Sequence, residues 1–249
     1  MILKDNERID EVNDSLSLIQ KTDGLTFGTD ALLLAGYVTG KYKAGCELGG
    51  GSGIISMLLL TRDKVARIEA YEVQEEYAAL IRRNAEYNSL SERLTAICKD
   101  VRDIPTAENS ELVFTNPPYM KSNAGLNNTF DQKAIARHEI CGDIGDFCLA
   151  AKKRLKFGGS FYAVYRPDRL CDIITAMREH SLEPKRFTFV HADAECEASM
   201  VLIEAKRGGK SGSILTRPLI IYKDKSHTEY GADMNYIMEN GSFPDSYKR

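Results

Sequence analysis

The sequence predicts an α/β fold, a mostly parallel seven-stranded sheet with helices on both faces. Three observations carry that expectation. From about residue 44, short apolar runs alternate with amphipathic stretches. Four glycines in five residues follow the first apolar run. Two prolines end the fourth run, where they cannot continue a central ladder.

Each element follows from its local pattern. Strands are expected at residues 44–48, 66–72, 94–98, 111–115, 160–165, 186–191 and 199–205. Helices are expected at 54–61, 75–88, 143–155 and 169–180. The helix at 75–88 sets Tyr77, Leu80, Ile81 and Ala85 at helical spacing. Gly158-Gly159 reads as the stop signal of the helix at 143–155. Strands alternating with helices imply parallel pairing and right-handed connections. Ahead of this core, residues 23–39 contain Asp30 and a Leu-rich helix. Behind it, 206–210 reads as a basic turn, 215–222 as an extended segment, and the stretch from Lys223 as a polar tail.

Composition narrows the class. The 249 residues fit one large domain, or one domain with modest additions, and 43% are hydrophobic, enough for a sizeable core. The expected divisions are 1–43, 44–207 and 208–249. No apolar run approaches the roughly 18 residues of a membrane span, and the polar, acidic start does not read as a signal peptide. A cytoplasmic chain with no membrane partner is therefore expected. Six cysteines form no C-x-x-C pair, so free structural thiols and no metal are expected. Charge is uneven. Residues 1–120 carry 13 Lys/Arg against 19 Asp/Glu, and 121–249 carry 20 against 17. The basic half permits nucleic-acid contact, and Lys206 and Arg207 are one candidate patch.

The glycine run Glu47-Leu48-Gly49-Gly50-Gly51-Ser52-Gly53 follows a strand and opens a helix. Glycines there let the backbone turn tightly and approach a ligand closely. The dinucleotide pattern G-x-G-x-x-G fails from Gly49, where its last position is Ile54, and from Gly51, where it is Ser56. No G-x-x-x-x-G-K is present either. The loop resembles the first motif of class I methyltransferases, which bind S-adenosylmethionine. Glu72 ends the next strand, 19 residues after Gly53, where a carboxylate can accept both ribose hydroxyls. Asp100 follows the third strand and could accept from the adenine amino group of the cofactor, with Val101 lining the ring.

Asn116-Pro117-Pro118-Tyr119 follows the fourth strand, at the sheet edge where α/β folds bind ligands. The Asn116 side-chain oxygen and the Pro117 carbonyl would each accept one N–H of a planar amino nitrogen. The Asn116 NH₂ is expected to be held by neighbouring backbone. Tyr119 offers a flat face for the substrate. The nitrogen lone pair would then point at the methyl group, and orientation would supply much of the rate. No strong general base is needed.

With these residues in place, the sequence resembles the bacterial tRNA (adenine-N6)-methyltransferases that modify the adenine 3′ of the anticodon in a valine tRNA. The segment from Gly24 to Leu33, the glycine loop, Tyr71-Glu72-Val73, Asp100 and the N-P-P-Y tetrapeptide carry the resemblance. Patches at Arg137-His138 and Arg166–Arg169, and the ending Glu204-Ala205-Lys206, extend it. It implies a class I methyltransferase, Rossmann-like fold, S-adenosylmethionine as cofactor and a tRNA substrate. It also implies that residues 1–43 help close the cofactor site. Cofactor contacts fall on Thr29, Asp30, Glu47, Gly49, Gly51, Gly53, Glu72, Val73, Asp100, Val101 and Asn116. Asn116, Pro117 and Tyr119 carry the reaction, and Pro118, Tyr119 and Arg137 meet the substrate. His138 takes a structural or RNA-facing role. Glu47 departs from the family's usual Asp, and its longer side chain should reach water or a loop amide. Alternatives are a protein-glutamine methyltransferase, an rRNA or DNA adenine methyltransferase, and a non-catalytic RNA-binding module. A monomer is favoured.

Overall fold

The computed structural model describes residues 3–22, 27–117 and 142–248. Gly24, Leu25, Thr26, Pro118, Tyr119, Arg137, His138 and Cys141 lie outside the described residues. The chain opens with an antiparallel hairpin, β1 (Glu7–Asn13) and β2 (Leu16–Lys21). Then come α1 (Thr29–Tyr37), β3 (Tyr42–Leu48), α2 (Ile54–Thr61), β4 (Val65–Glu72), α3 (Glu75–Tyr87), β5 (Leu94–Cys98) and β6 (Ser110–Thr115). After residue 141 follow α4 (Ile144–Arg154), β7 (Leu155–Tyr165), α5 (Leu170–Glu179), β8 (Leu182–His191) and β9 (Ala198–Arg207). Two short strands, β10 (Ile214–Leu215) and β11 (Leu219–Ile220), precede the last helix, α6 (Ala232–Asn240).

The seven expected strands form one sheet in the order β8-β9-β7-β6-β3-β4-β5. Strands β3 to β7 pair in parallel, whereas β9 runs antiparallel to both β7 and β8. Two-residue strands β10 and β11 add to β8, so the sheet has nine strands among the described residues. The central strands are apolar because helices cover both faces. Every residue from Ile54 to Leu60 of α2 is buried, as expected of a helix packed on all sides. Helix α3 instead keeps one apolar face and places Glu75 and Glu76 in its first turn, favourable for the helix dipole. Helix α4 starts with a reciprocal capping box between Asp143 and Asp146.

Strand order reverses between β3 and β6. The chain runs outward from β3 through β4 to β5, then returns to β6 on the other side of β3. At such a switch point two loops leave adjacent strand ends in opposite directions and open a crevice. Leu48 pairs with Thr115 in register, and the Thr115 hydroxyl donates to the Leu48 carbonyl at 2.7 Å. Gly49 and Asn116 therefore leave the sheet side by side.

One local expectation is corrected and two features are added. Gly158-Gly159 does not stop a helix, because α4 ends at Arg154 and runs straight into β7. Ser110 pairs with Leu155 and Leu112 with Ser160, so residues 156–159 bulge out of the strand, with Gly158 at φ +77°. The hairpin β1–β2 was not expected, because Glu7–Asn13 is mostly polar and only β2 is buried. The tail from Lys223 is more than polar surface. Met234, Ile237, Phe243 and Tyr247 are buried in the same cluster as Leu33, Leu58 and Leu202. Arg186, 3% exposed, ties that tail to the core. Its guanidinium donates to the carbonyls of Tyr37 at 3.0 Å and Tyr247 at 2.9 Å and pairs with Glu204. A planar guanidinium can serve three such partners at once.

Candidate active site

The glycine loop is shaped from below. Gly49 and Gly50 donate their N–H groups to the Tyr71 carbonyl at 2.9 and 3.0 Å. Gly49, Gly51 and Gly53 have φ of +73°, +54° and +83°, a region in which a side chain is strained. A Cβ at Gly50 would lie 2.8 Å from Ile81, whereas one at Gly51 would meet nothing within 4 Å. The loop is thus packed hard against α3 on one side and open at Gly51 on the other.

Acidic residues follow along the strand ends. Glu72, 6% exposed, accepts from the Gly51 N–H and the Gln74 N–H, both at 2.9 Å. Lys99 N donates to the Glu72 carbonyl at 3.0 Å, which brings Asp100 next in line. Asp100 caps a single 3₁₀ turn, Val101–Asp103, and accepts from Arg102 N at 2.8 Å. The Arg102 guanidinium beside it holds its carboxyl below the usual range. Val101 is 5% exposed. Val73 directly follows Glu72, and its carbonyl accepts from the Cys98 thiol at 3.5 Å.

Glu47 is seated differently from the expectation. It is 1% exposed, beneath the loop, and its carboxyl accepts from the hydroxyl and the backbone N–H of Ser56 in α2. Burial pushes its pKa up to about 8, partly opposed by the Ser56 hydrogen bond.

Across the switch point stands Asn116. Its NH₂ donates to Asp30 Oδ2 at 2.7 Å, a charge-assisted bond. This acceptor is a carboxylate in the first turn of α1. The other oxygen, Asp30 Oδ1, accepts from Ala31 N at 2.9 Å. An Asn amide facing a carboxylate must present nitrogen, since its oxygen would set two acceptors against each other. The acceptor end of Asn116 is thereby oriented away from Asp30. Thr29 starts the same helix, and a Cβ at Gly28 before it would lie 2.7 Å from Asp30 Oδ1, so a side chain there would displace that carboxylate. Pro117 is buried behind Asn116.

Sequence reasoning missed Asn84. This fully buried residue of α3 accepts from Ile19 N at 2.7 Å and donates to the carbonyls of Ile19 and Ser52, both at 3.1 Å. It fastens hairpin and glycine loop to one helix. The signal was available: an amide at position 84 interrupts the apolar face running Tyr77, Leu80, Ile81, Ala85. Lys206 and Arg207, by contrast, lie at the opposite sheet edge. Lys206 donates to the Ser160 hydroxyl at 2.6 Å, and Arg207 binds the Leu155 carbonyl and pairs with Glu108 at 2.6 Å. They tie the far ends of β7 and β9 together at the sheet edge away from Asn116.

The donor set fits S-adenosylmethionine. An open glycine cradle suits a chain that needs close backbone approach, and Glu72 and Asp100 follow it as carboxylates at successive strand ends. Among the described residues, no helix is long and apolar enough to cross a membrane.

The chain is similar to known proteins in sequence and in fold. A tRNA1(Val) (adenine(37)-N6)-methyltransferase of Aeromonas hydrophila subsp. hydrophila is 32% identical over 185 residues, which is 73% of this chain and 76% of that one. A protein of the same name from Porphyromonas gingivalis is 27% identical over 187 residues, covering 71% and 72%. A predicted O-methyltransferase from Agrobacterium tumefaciens shares the fold with TM-score 0.69 at 22% identity, over 86% of this chain and 98% of that one. Geranyl diphosphate C-methyltransferase from Streptomyces coelicolor, solved with S-adenosyl-L-homocysteine, shares it with TM-score 0.54 at 13% identity, over 72% and 75%. The model of the methyltransferase small domain matches residues 21–180, and on that match the chain belongs to the methyltransferase small domain family, as an S-adenosylmethionine-dependent methyltransferase.

Proposed function

We propose that the chain methylates the exocyclic N6 amino group of an adenine in tRNA, the adenine 3′ of the anticodon of a valine tRNA. The observation that carries the chemistry is the Asp30–Asn116 bond, which fixes the side-chain amide with its oxygen as the acceptor end. An amino nitrogen needs acceptors for its two N–H groups, and in this reading Asn116 and the Pro117 carbonyl supply them. S-adenosylmethionine, when bound, supplies a methyl group on a sulfonium. The chain's own task is orientation, worth many orders of magnitude when the reacting atoms are aligned. Glu72 would take the ribose hydroxyls, with its two loop amides already holding the carboxylate in place. The tRNA assignment rests on relatives of that name at 24–32% identity. A base in a folded anticodon loop must leave its stack to reach such a site. This reading also puts the chain in the cytoplasm. Residues 44–207 then carry the reaction, 1–43 close the cofactor side and 208–249 form an extension.

The test is incubation with labelled S-adenosylmethionine and, separately, total tRNA, rRNA, DNA and a glutamine-bearing release-factor substrate. Label should enter tRNA as N6-methyladenosine. Label in rRNA, DNA or protein alone would move the assignment to that substrate, and no label anywhere would favour a binding module.

A further inference from the structure

Asp193, Cys196 and His227 converge from two separate segments. Asp193 and Cys196 lie in the turn between β8 and β9, and His227 lies in the loop from β11 to α6. Their ligand atoms all fall within 4.8 Å of one another. No spacing motif announced this group, because the third member comes 31 residues after the second.

The carboxylate is built to serve the other two. Asp193 is 3% exposed. Its Oδ1 accepts the backbone N–H groups of Glu195 at 2.8 Å and Cys196 at 3.1 Å, which fixes the carboxylate plane. Its Oδ2 receives the Cys196 thiol at 3.1 Å and meets His227 Nε2 at 2.8 Å. His191 Nδ1 meets the Cys196 carbonyl at 2.8 Å and steadies the turn. The His227 ring stacks on Tyr222, centroids 4.7 Å apart and 21° from parallel. The loop is also zipped to β8 by Ile221 N to the His191 carbonyl at 2.9 Å and Tyr222 N to the Ala192 carbonyl at 2.8 Å.

We propose that Asp193, Cys196 and His227 bind a Zn²⁺ ion that staples the loop around residues 222–231 to the β8–β9 turn. A thiolate, an imidazole and a carboxylate are a zinc donor set, whereas Mg²⁺ and Ca²⁺ take oxygens. Bonds of about 2.0–2.3 Å in a tetrahedron put ligand atoms roughly 3.3–3.8 Å apart, so small side-chain rotations admit the ion. The ion takes the place of the protons now shared with Asp193 Oδ2. The Cys196 S–H proton leaves to solvent, the imidazole of His227 gives up its Nε2 proton and carries its N–H at Nδ1 so that the Nε2 lone pair meets the ion, Asp193 gives one oxygen, and water takes the fourth position. The backbone amides on Oδ1 and the Tyr222 stack are the outer contacts that orient such ligands. Because β8 runs parallel to β3–β7, the site lies at the same sheet edge as Asn116, with β9 and β7 between β8 and β6. It stands independently of the substrate assigned above.

The experiment titrates the full chain with Co²⁺ as a spectroscopic stand-in, then displaces it with Zn²⁺. Wild type should show a thiolate-to-cobalt charge-transfer band that saturates at about one equivalent, and Zn²⁺ should raise its Tm. Cys171→Ser, at an exposed thiol on α5, should behave as wild type. Cys196→Ser and His227→Ala should each weaken Zn²⁺ binding by roughly 100-fold or more, since even outer-contact losses cost about 10–100-fold. His227 is 42% exposed, so its variant should fold. A wild-type chain without the thiolate band overturns the proposal, as does a folded His227→Ala chain that keeps wild-type Zn²⁺ affinity.

Discussion

Removing the Asp30 carboxylate should slow methyl transfer while leaving the fold intact, because Asp30 acts through Asn116. The perturbation is Asp30→Ala. It deletes the acceptor 2.7 Å from the Asn116 NH₂ and one bond to the first turn of α1. A hydrogen bond to a charged group is worth about 1.5–3 kcal/mol net. If that energy holds the amide in its reactive orientation, the rate should fall roughly 10- to 150-fold, since about 1.4 kcal/mol is tenfold. Asn116→Ala removes the oriented acceptor itself and should cost on the order of 10²–10³. The double variant should be no slower than Asn116→Ala alone, because a positioning residue has nothing left to position. The assay is single-turnover methylation of a tRNA pool by all four proteins, with S-adenosylhomocysteine affinity measured by calorimetry. Additive losses in the double variant would refute the reasoning, for Asp30 would then act on its own.

Other expectations are equally local. Glu47 holds its proton to a pKa of about 8 in the fold against 4.5 when unfolded, so the folded state binds more protons between those values and stability should fall as pH rises from 4.5 to 8. The full effect is on the order of 5 kcal/mol. Glu47→Gln should remove most of that slope in urea melts, and an unchanged slope would exonerate Glu47. Glu72→Ala should weaken S-adenosylhomocysteine binding by about 1.5–3 kcal/mol per lost charge-assisted bond, and unchanged affinity in a folded variant would remove Glu72 from the site. Asn84→Ala strands the buried Ile19 N–H and two carbonyls, so it should cost at least about 1–3 kcal/mol and lower Tm; a melt indistinguishable from wild type would contradict its place as a fastener.

The sheet was legible because its strands are short, apolar and separated by helices with one clear face, and β5 falls on the residues read for it. The glycine loop was legible for a backbone reason, since three of its φ values are positive. What stayed hidden depends on distant partners. Glu7–Asn13 looks like solvent-exposed coil until Arg83 pairs with Glu7 and Asn84 holds β2. The tail looks polar because its anchors, Met234, Ile237, Phe243 and Tyr247, are spread among charged residues. Gly158-Gly159 carried the right signal of positive φ, attached to the wrong element, a bulge in β7 rather than a helix end. In the site, residue types named Asn116 and Glu72, but the pairing of Asn116 with Asp30 spans 86 positions and no pattern announces it. The burial of Glu47 under its own loop likewise needed the packing of α2, whose Ser56 meets it.

The central claim is that Asn116 orients an adenine amino group for methylation in tRNA. The most direct measurement is nucleoside analysis of tRNA after single-turnover reaction with wild type and Asn116→Ala, at cofactor concentrations that saturate both. Wild type should yield N6-methyladenosine at the position 3′ of the valine anticodon, and Asn116→Ala should yield it on the order of 10²–10³ times more slowly with little change in cofactor affinity. An Asn116→Ala protein that forms the same product at the wild-type rate would contradict the account.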